Sequence, residues 1–181
     1  MRPDQSTQLP DGRTIGFAEF GEAAGRPLFF SHGWPSSRLE ARALHDHARR
    51  RALRVIAPDR PGIGLSDPRP GRGFSDWPAD IAALADALEI GRFLLLGVSG
   101  GGPYVLAAAA LLPDRIDAAT VVCGAPPLDR PEHRGGLHWT YRTLAAVKHL
   151  RRAVLPPVID SSRWMVARGH DKPPLSWIMR S

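Results

Sequence analysis

The chain has 181 residues, of which 43% are hydrophobic and 23% charged. This length and composition suit one globular domain and exclude a fibrous or wholly disordered protein. Its first residues, MRPDQSTQLPDG, lack the apolar core of a secretory signal, and no stretch approaches the roughly 18 apolar residues of a membrane span. We therefore expect a cytoplasmic protein without a membrane span.

The net charge of +6 is distributed unevenly along the chain. Residues 129–181 carry 10 basic and 4 acidic residues, which account for the whole net charge. Because 22 of the 24 basic residues are arginines and no dense basic block occurs, we expect no nucleic-acid binding. The single cysteine, Cys123, cannot form an internal disulfide and is predicted to be buried within an apolar run.

Short apolar runs alternate with longer stretches of helical period, which is typical of an α/β protein with a largely parallel sheet. A hairpin turning at residues 10–12 leads into a strand over 14–20, and further strands are predicted over 27–33, 54–59, 92–99 and 116–125. Helices are predicted to begin after residue 36 and to cover 75–90 and 101–113. The strand over 92–99 is so continuously apolar that we expect it in the sheet centre with neither face exposed.

Beyond Pro126 the character of the chain changes. Residues 137–154 predict an amphipathic helix with basic residues opposite an apolar face. Such a helix packs on its own protein or lies on a membrane surface. We predict two parts, a core over 1–128 and a second part over 129–181. The apolar face of the predicted helix comprises Leu137, Tyr141, Leu144, Val147, Leu150 and Val154.

The pattern G-x-S-x-G occurs at Gly97–Gly101, between a predicted strand and a predicted helix. This context predicts a nucleophile elbow, in which a strained turn presents Ser99 while small neighbours let strand and helix approach. The start of the helix also offers free N–H groups that favour negative charge beside the serine. The alternative is a glycine-rich turn without chemistry, or one that binds phosphate.

Two further motifs follow predicted strands, HGWP at 32–35 and DRPGIGLS at 59–66. In this order, the three motifs resemble the serine-nucleophile members of the α/β-hydrolase superfamily. The resemblance covers about residues 8 to 126 and implies a mostly parallel sheet with flanking helices. It also implies a small-molecule acyl substrate, and that residues 129–181 are the beginning of a helical cap. No H-E-x-x-H, C-x-x-C or Walker-type G-x-x-x-x-G-K pattern occurs in the chain, so we predict no metal or cofactor.

By this resemblance, Ser99 matches the nucleophile, and the backbone N–H groups of Gly100 and Trp34 match the oxyanion-hole donors. HGWP is also similar to the motif of epoxide hydrolases, which use an aspartate nucleophile, whereas the serine here favours acyl transfer. Cofactor-free peroxidases and C–C bond hydrolases share the serine elbow, so the reaction is left open. The motif residues that match structural positions of the family are His32, Gly33, Asp59, Gly62, Gly64, Gly97 and Gly101.

The family places its catalytic acid and histidine after the nucleophile. Among the late histidines, His170 beside Asp171 is the remaining candidate for a base, while those at 133, 138 and 149 are predicted to face solvent. Because neither late strand of the family is visible before Ser181, we expect a truncated product that lacks the last strands and the complete triad. The alternative function is a non-catalytic module that binds acyl ligands or a partner on the same fold.

Overall fold

The structure is a computed structural model that describes residues 1–124, which belong to one compact unit, Met1–Ala125. A six-stranded sheet carries helices on both faces, so the predicted α/β architecture is confirmed for these residues. The strands are β1 Arg2–Gln8, β2 Thr14–Gly21, β3 Arg26–Ser31, β4 Leu53–Pro58, β5 Phe93–Val98 and β6 Ile116–Val122. The α-helices are α1 His45–Arg50, α2 Trp77–Ala87 and α3 Gly102–Leu111.

The strand order is β1-β2-β4-β3-β5-β6. The first two strands form the predicted hairpin, and β2 is also antiparallel to β4. From β4 to β6 every pairing is parallel, as expected for strands connected through helices. The sheet therefore has an antiparallel edge and a parallel body whose carboxyl ends all lie on one side.

The helix predicted to begin after residue 36 is divided in two. A 3₁₀ segment, Arg38–Leu44, precedes α1, and the Ser37 hydroxyl accepts the Leu39 N–H at 3.4 Å. The short α1 ends before Ala52, which adopts a φ of +49°. The predicted start of this element is confirmed, while its single continuous α-helix is wrong.

The core lies on both faces of the sheet. On one face, α2 and α3 bury a cluster that includes Phe29, Phe93 and Trp77, and the Phe29 and Phe93 ring centroids are 4.7 Å apart. On the other face, the 3₁₀ segment and α1 cover a second cluster around Phe30 and Val55. Two packed faces give the strand ends a rigid support.

Strand β5 lies between β3 and β6, but the expectation that neither face is exposed is wrong. Phe93, Leu95 and Gly97 are buried beneath the helices, whereas Leu94, Leu96 and Val98 are only half-buried. The helix on that second face, α1, packs over β2 and β4. Periodicity alone could not show how far this short helix reaches across the sheet.

Strand β6 pairs only with β5 among residues 1–124, and it is exposed along most of its length. Cys123, which follows it, is exposed with a φ of +49°, so its predicted burial is wrong. The physical reason is its place at the end of an edge strand, where the apolar sequence does not ensure a covering element. Within the described part of the chain, no helix is long and apolar enough to cross a membrane.

Candidate active site

The carboxyl ends of β3, β4 and β5 lie side by side at one end of the sheet. Ser31 at the end of β3 pairs with Gly97 in β5, and β4 flanks β3 on its other side. The segments that leave these three strands carry the three sequence motifs, including Ser99. Ligands of open α/β sheets bind at this end of the strands, so the topology brings the motifs to one site.

Ser99 occupies the turn between β5 and α3. Its φ of +50° lies in the left-handed region, which costs a residue with a side chain about 1–2 kcal/mol. A Cβ on Gly97 would lie 2.7 Å from Val105 Cγ2, and one on Gly101 would lie 2.0 Å from the carbonyl oxygen of Ser31. Both positions therefore need glycine for the strand and helix to approach as predicted for an elbow.

The backbone of the HGWP segment lies against the elbow. A Cβ built on Gly100 would lie 3.5 Å from the backbone nitrogen of Trp34. The N–H of Gly33 donates to Glu40 Oε2 at 2.7 Å, whereas no acceptor within residues 1–124 takes the Trp34 N–H. The two N–H groups that match oxyanion donors therefore belong to contacting segments.

Asp59 is fully buried at the end of β4 and holds the second motif in place. Its carboxylate accepts the Arg38 N–H at 2.7 Å, Arg38 Nη1 at 2.8 Å and the Leu65 N–H at 3.0 Å. Its carbonyl oxygen accepts the Ser66 hydroxyl at 2.8 Å. These contacts tie the carboxylate to its own loop and to the 3₁₀ segment.

The glycines of this loop meet different constraints. Gly62 and Gly64 have φ values of +80° and +53°. At Gly64 a Cβ would also lie 2.1 Å from Asp59 Oδ2. Gly64 is therefore needed both for its backbone conformation and for the approach of the loop to the buried carboxylate.

His32 has both ring nitrogens engaged. Nε2 accepts the Arg60 N–H at 3.3 Å, and Nδ1 lies 3.0 Å from the Gly33 carbonyl oxygen and 3.1 Å from Arg60 Nη2. Burial, followed by the nearby Arg60 charge, lowers the pKa of His32 to about 4. The ring is therefore neutral at pH 7 and is not free to take a proton from Ser99.

This pKa predicts a loss of stability in mild acid. In the unfolded chain the pKa of histidine is about 6.5, so between roughly pH 6.5 and 4 the unfolded state binds more protons and folding weakens. Lowering the pH from 7 to 5 should reduce the free energy of unfolding by about 2 kcal/mol through this group alone. Urea titrations at both pH values would measure it. The difference should shrink in His32→Asn and persist when the exposed His47 is replaced by asparagine; an equal difference in all three proteins would contradict the prediction.

Arg60, at the second position of DRPGIGLS, contacts both other motifs. Its Nη2 donates to the Gly33 carbonyl at 2.7 Å, its Nη1 donates to the Gly100 carbonyl at 3.0 Å, and its guanidinium lies 4.7 Å from the ring centroid of Tyr104. Sequence reasoning quoted this arginine but assigned it no role. It also missed Glu40, whose spacing from Ser37 matches a capping box but whose carboxylate binds Gly33.

None of the three histidines within residues 1–124 is placed as a base for Ser99. Besides His32, the Nδ1 of His45 accepts the Gly21 N–H, and His47 contacts Arg50. The candidate His170, the histidines at 133, 138 and 149, and the amphipathic helix predicted over 137–154 lie outside the described residues. The predicted roles of the site residues remain predictions.

A model of the α/β-hydrolase fold matches residues 26–154, which is more than half of the chain. The chain belongs to the α/β-hydrolase fold family. The fold predicted from its three motifs is thereby confirmed, and members of this family act on small-molecule substrates.

This α/β-hydrolase is similar to several proteins of the family. It is 36% identical over 120 residues to a non-heme chloroperoxidase of Streptomyces lividans, covering 65% of the chain and 44% of that protein. It is 31% identical over 120 residues to a bifunctional esterase/perhydrolase of Acinetobacter calcoaceticus, with the same coverage. The esterase RhEst1 of Rhodococcus sp. ECU1013 shares its fold with a TM-score of 0.57 and 31% identity, over 67% of this chain and 46% of that one. The chain thus spans less than half the length of these relatives.

Proposed function

We propose that Ser99 is the nucleophile of an acyl-transfer site that accepts small-molecule esters, amides or related acyl compounds. The observation that carries this proposal is the left-handed backbone of Ser99 in a turn that admits only glycine at positions 97 and 101. Holding a serine in so strained a conformation is typical of positions where the side chain has a functional task. The relatives named as an esterase and an esterase/perhydrolase support the same class of reaction.

In the proposed reaction, Ser99 Oγ attacks the acyl carbonyl carbon and its proton passes to a base. The carbonyl oxygen then carries the negative charge, which the N–H groups of Gly100 and Trp34 stabilise. Collapse of this intermediate breaks the bond to the leaving group, which takes up a proton, and an acyl-enzyme remains on Ser99. Water releases the acyl group in a second step. The base is to be sought outside residues 1–124, because the described histidines are engaged elsewhere.

A fluorophosphonate probe followed by intact-mass spectrometry tests the proposal. We expect one equivalent of label on the folded protein, no label on Ser99→Ala and no label after unfolding in urea. Ser75→Ala, which removes an exposed hydroxyl away from the elbow, should still be labelled. Absence of label on the folded wild-type protein, or label that survives in Ser99→Ala, would overturn the nucleophile assignment.

The second candidate function is binding of acyl ligands or a partner at the same site without turnover. The observation that favours it is that no described histidine is free to act as the base. This candidate predicts a folded protein that the fluorophosphonate does not label but whose tryptophan fluorescence changes on adding a carboxylic acid, a change that Trp34→Phe removes. Trp34 is a suitable reporter because its side chain is 55% exposed beside the elbow.

A further inference from the structure

We propose that Arg60 is a positioning residue for this site, because its guanidinium fixes the two backbone segments that supply the oxyanion-hole N–H groups. The inference rests on the proposed function of Ser99. One side chain donates to Gly33 O at 2.7 Å and to Gly100 O at 3.0 Å, so it joins the segment after β3 to the segment after β5. Gly33 directly precedes Trp34, whose N–H is one predicted donor, and Gly100 carries the other predicted donor N–H.

The first contact acts on the peptide group that carries the Trp34 N–H. The Gly33 carbonyl and the Trp34 N–H belong to the same planar trans peptide, in which the C=O and N–H bonds point in opposite directions. A carbonyl held toward Arg60 therefore turns the Trp34 N–H away from it. The backbone nitrogen of Trp34 lies 3.5 Å from the Cβ position of Gly100, so this segment borders the elbow.

The second contact acts on the elbow. Gly100 follows the nucleophile, and its carbonyl oxygen is the atom that Arg60 Nη1 holds. With the carbonyl fixed on one side and the strained Ser99 on the other, the Gly100 N–H has little freedom to turn. Errors of about 1 Å in such positions cost up to about 100-fold in rate, so a shared anchor for both donors has a large effect.

The charge of Arg60 adds to its geometry. Arginine remains protonated in proteins, and a carbonyl that accepts a charged donor is polarised so that the N–H of the same peptide becomes a stronger donor. The negative charge of Glu40 opposes the positive charge of Arg60 here. The Glu40 carboxylate accepts the Gly33 N–H at 2.7 Å, whereas Arg60 binds the carbonyl of the same residue.

Arg60 is itself rigidly held, as a positioning role requires. It is only 5% exposed, and its backbone N–H donates to His32 Nε2 at 3.3 Å. The ring of Tyr104 lies against the guanidinium with 4.7 Å between Cζ and the ring centroid. Tyr104 is supported in turn by Phe74 and Trp77, at 4.9 and 5.8 Å between centroids. Among residues 1–124 no carboxylate forms an ion pair with Arg60, and its guanidinium contacts there are the two carbonyl oxygens, His32 Nδ1 at 3.1 Å and the Tyr104 ring.

The test measures the kinetics of fluorophosphonate labelling, separating the maximal rate of inactivation from the apparent affinity of the probe. Arg60→Met should lower the maximal rate about 10- to 100-fold, with little change in apparent affinity. Arg60→Lys, which keeps the charge but cannot reach both carbonyls as a planar fork, should fall between Arg60→Met and wild type. Arg72→Met is the matched control, because Arg72 also contacts Tyr104 but neither carbonyl, and it should retain the wild-type rate.

A second readout reports on the peptide directly. The ¹⁵N shift of an amide responds to hydrogen bonding at the preceding carbonyl, so Arg60→Lys should move the Trp34 amide resonance while Arg72→Met leaves it in place. This measurement keeps the proposal testable if Arg60→Met does not fold. An Arg60→Lys protein that labels at the wild-type rate with an unmoved Trp34 resonance would overturn the role of Arg60. A wild-type protein that is not labelled would instead overturn the proposed function, while the Trp34 resonance still tests the anchoring contact.

Discussion

Replacing Asp59 with alanine is expected to lower the free energy of unfolding by about 3–5 kcal/mol, the usual cost of removing one partner from a buried ion pair. The substitution leaves the part-buried Leu65 N–H without its acceptor, together with two buried donors, the Arg38 N–H and one arm of the Arg38 guanidinium. Urea unfolding followed by circular dichroism would measure the loss. Because Asp59 precedes Arg60, the same variant should also label more slowly with the fluorophosphonate.

The chain offers a matched control on the other arm of the same guanidinium. Arg38 Nη2 also binds Asp4, whose side chain is 68% exposed. Exposed ion pairs contribute about 0–1 kcal/mol, so Asp4→Ala should leave the stability nearly unchanged. Equal losses in the two variants would show that burial of Asp59 does not govern the interaction.

Replacing Gly101 with alanine is expected to cost about 3 kcal/mol or more, or to prevent folding. The added Cβ would lie 2.0 Å from the Ser31 carbonyl oxygen and 2.8 Å from its carbon. These are backbone atoms of a strand paired on both sides, so they cannot move aside as a flexible side chain can, and overpacking of this kind ranks among the more damaging substitutions. Thermal unfolding would show the loss as a lower Tm.

Gly100→Ala is the control for this prediction. A Cβ at position 100 would lie 3.4 Å from Trp34 Cβ, its closest neighbour, and the backbone N–H would be kept. We therefore expect no loss of stability, because replacing glycine by alanine where the backbone conformation suits alanine stabilises a protein by about 0.4–1 kcal/mol. A Gly100→Ala protein as unstable as Gly101→Ala would mean that the turn tolerates no side chain at all, whatever the space.

Much of this fold could be predicted from local sequence. The alternation of apolar runs with helical stretches predicted five of the six strands and the start of each helical element. This is because the spacing of apolar residues along a segment shows which of its faces is buried. Glycine spacing around Ser99 predicted the turn, since only glycine allows such close approach. These features depend on residues that are close together in the chain, so they can be predicted from local sequence.

The rest depended on contacts between distant residues. The guanidinium of Arg60 meets Gly33 and Gly100, which are 27 and 40 residues away in the chain. Glu40 has the spacing of a helix cap, but its carboxylate accepts the N–H of Gly33, seven residues earlier in the chain. The burial predicted for Cys123 is wrong for a related reason. An apolar run indicates that a strand can be buried, but it does not show which element of the fold covers that strand.

The left-handed backbone conformation of Ser99 limits which residues position 99 can hold without a loss of stability. A glycine would adopt a φ of +50° without penalty and an asparagine tolerates it, whereas most residues with a side chain are destabilised by it. Under selection for stability alone, position 99 would drift toward glycine or asparagine. A serine at position 99 destabilises the folded chain by about 1–2 kcal/mol. Its presence therefore indicates a requirement other than stability. In a library screened only for folded, protease-resistant protein, we expect glycine or asparagine to be enriched at position 99, as at Ala52 and Cys123, whose φ values are both +49°.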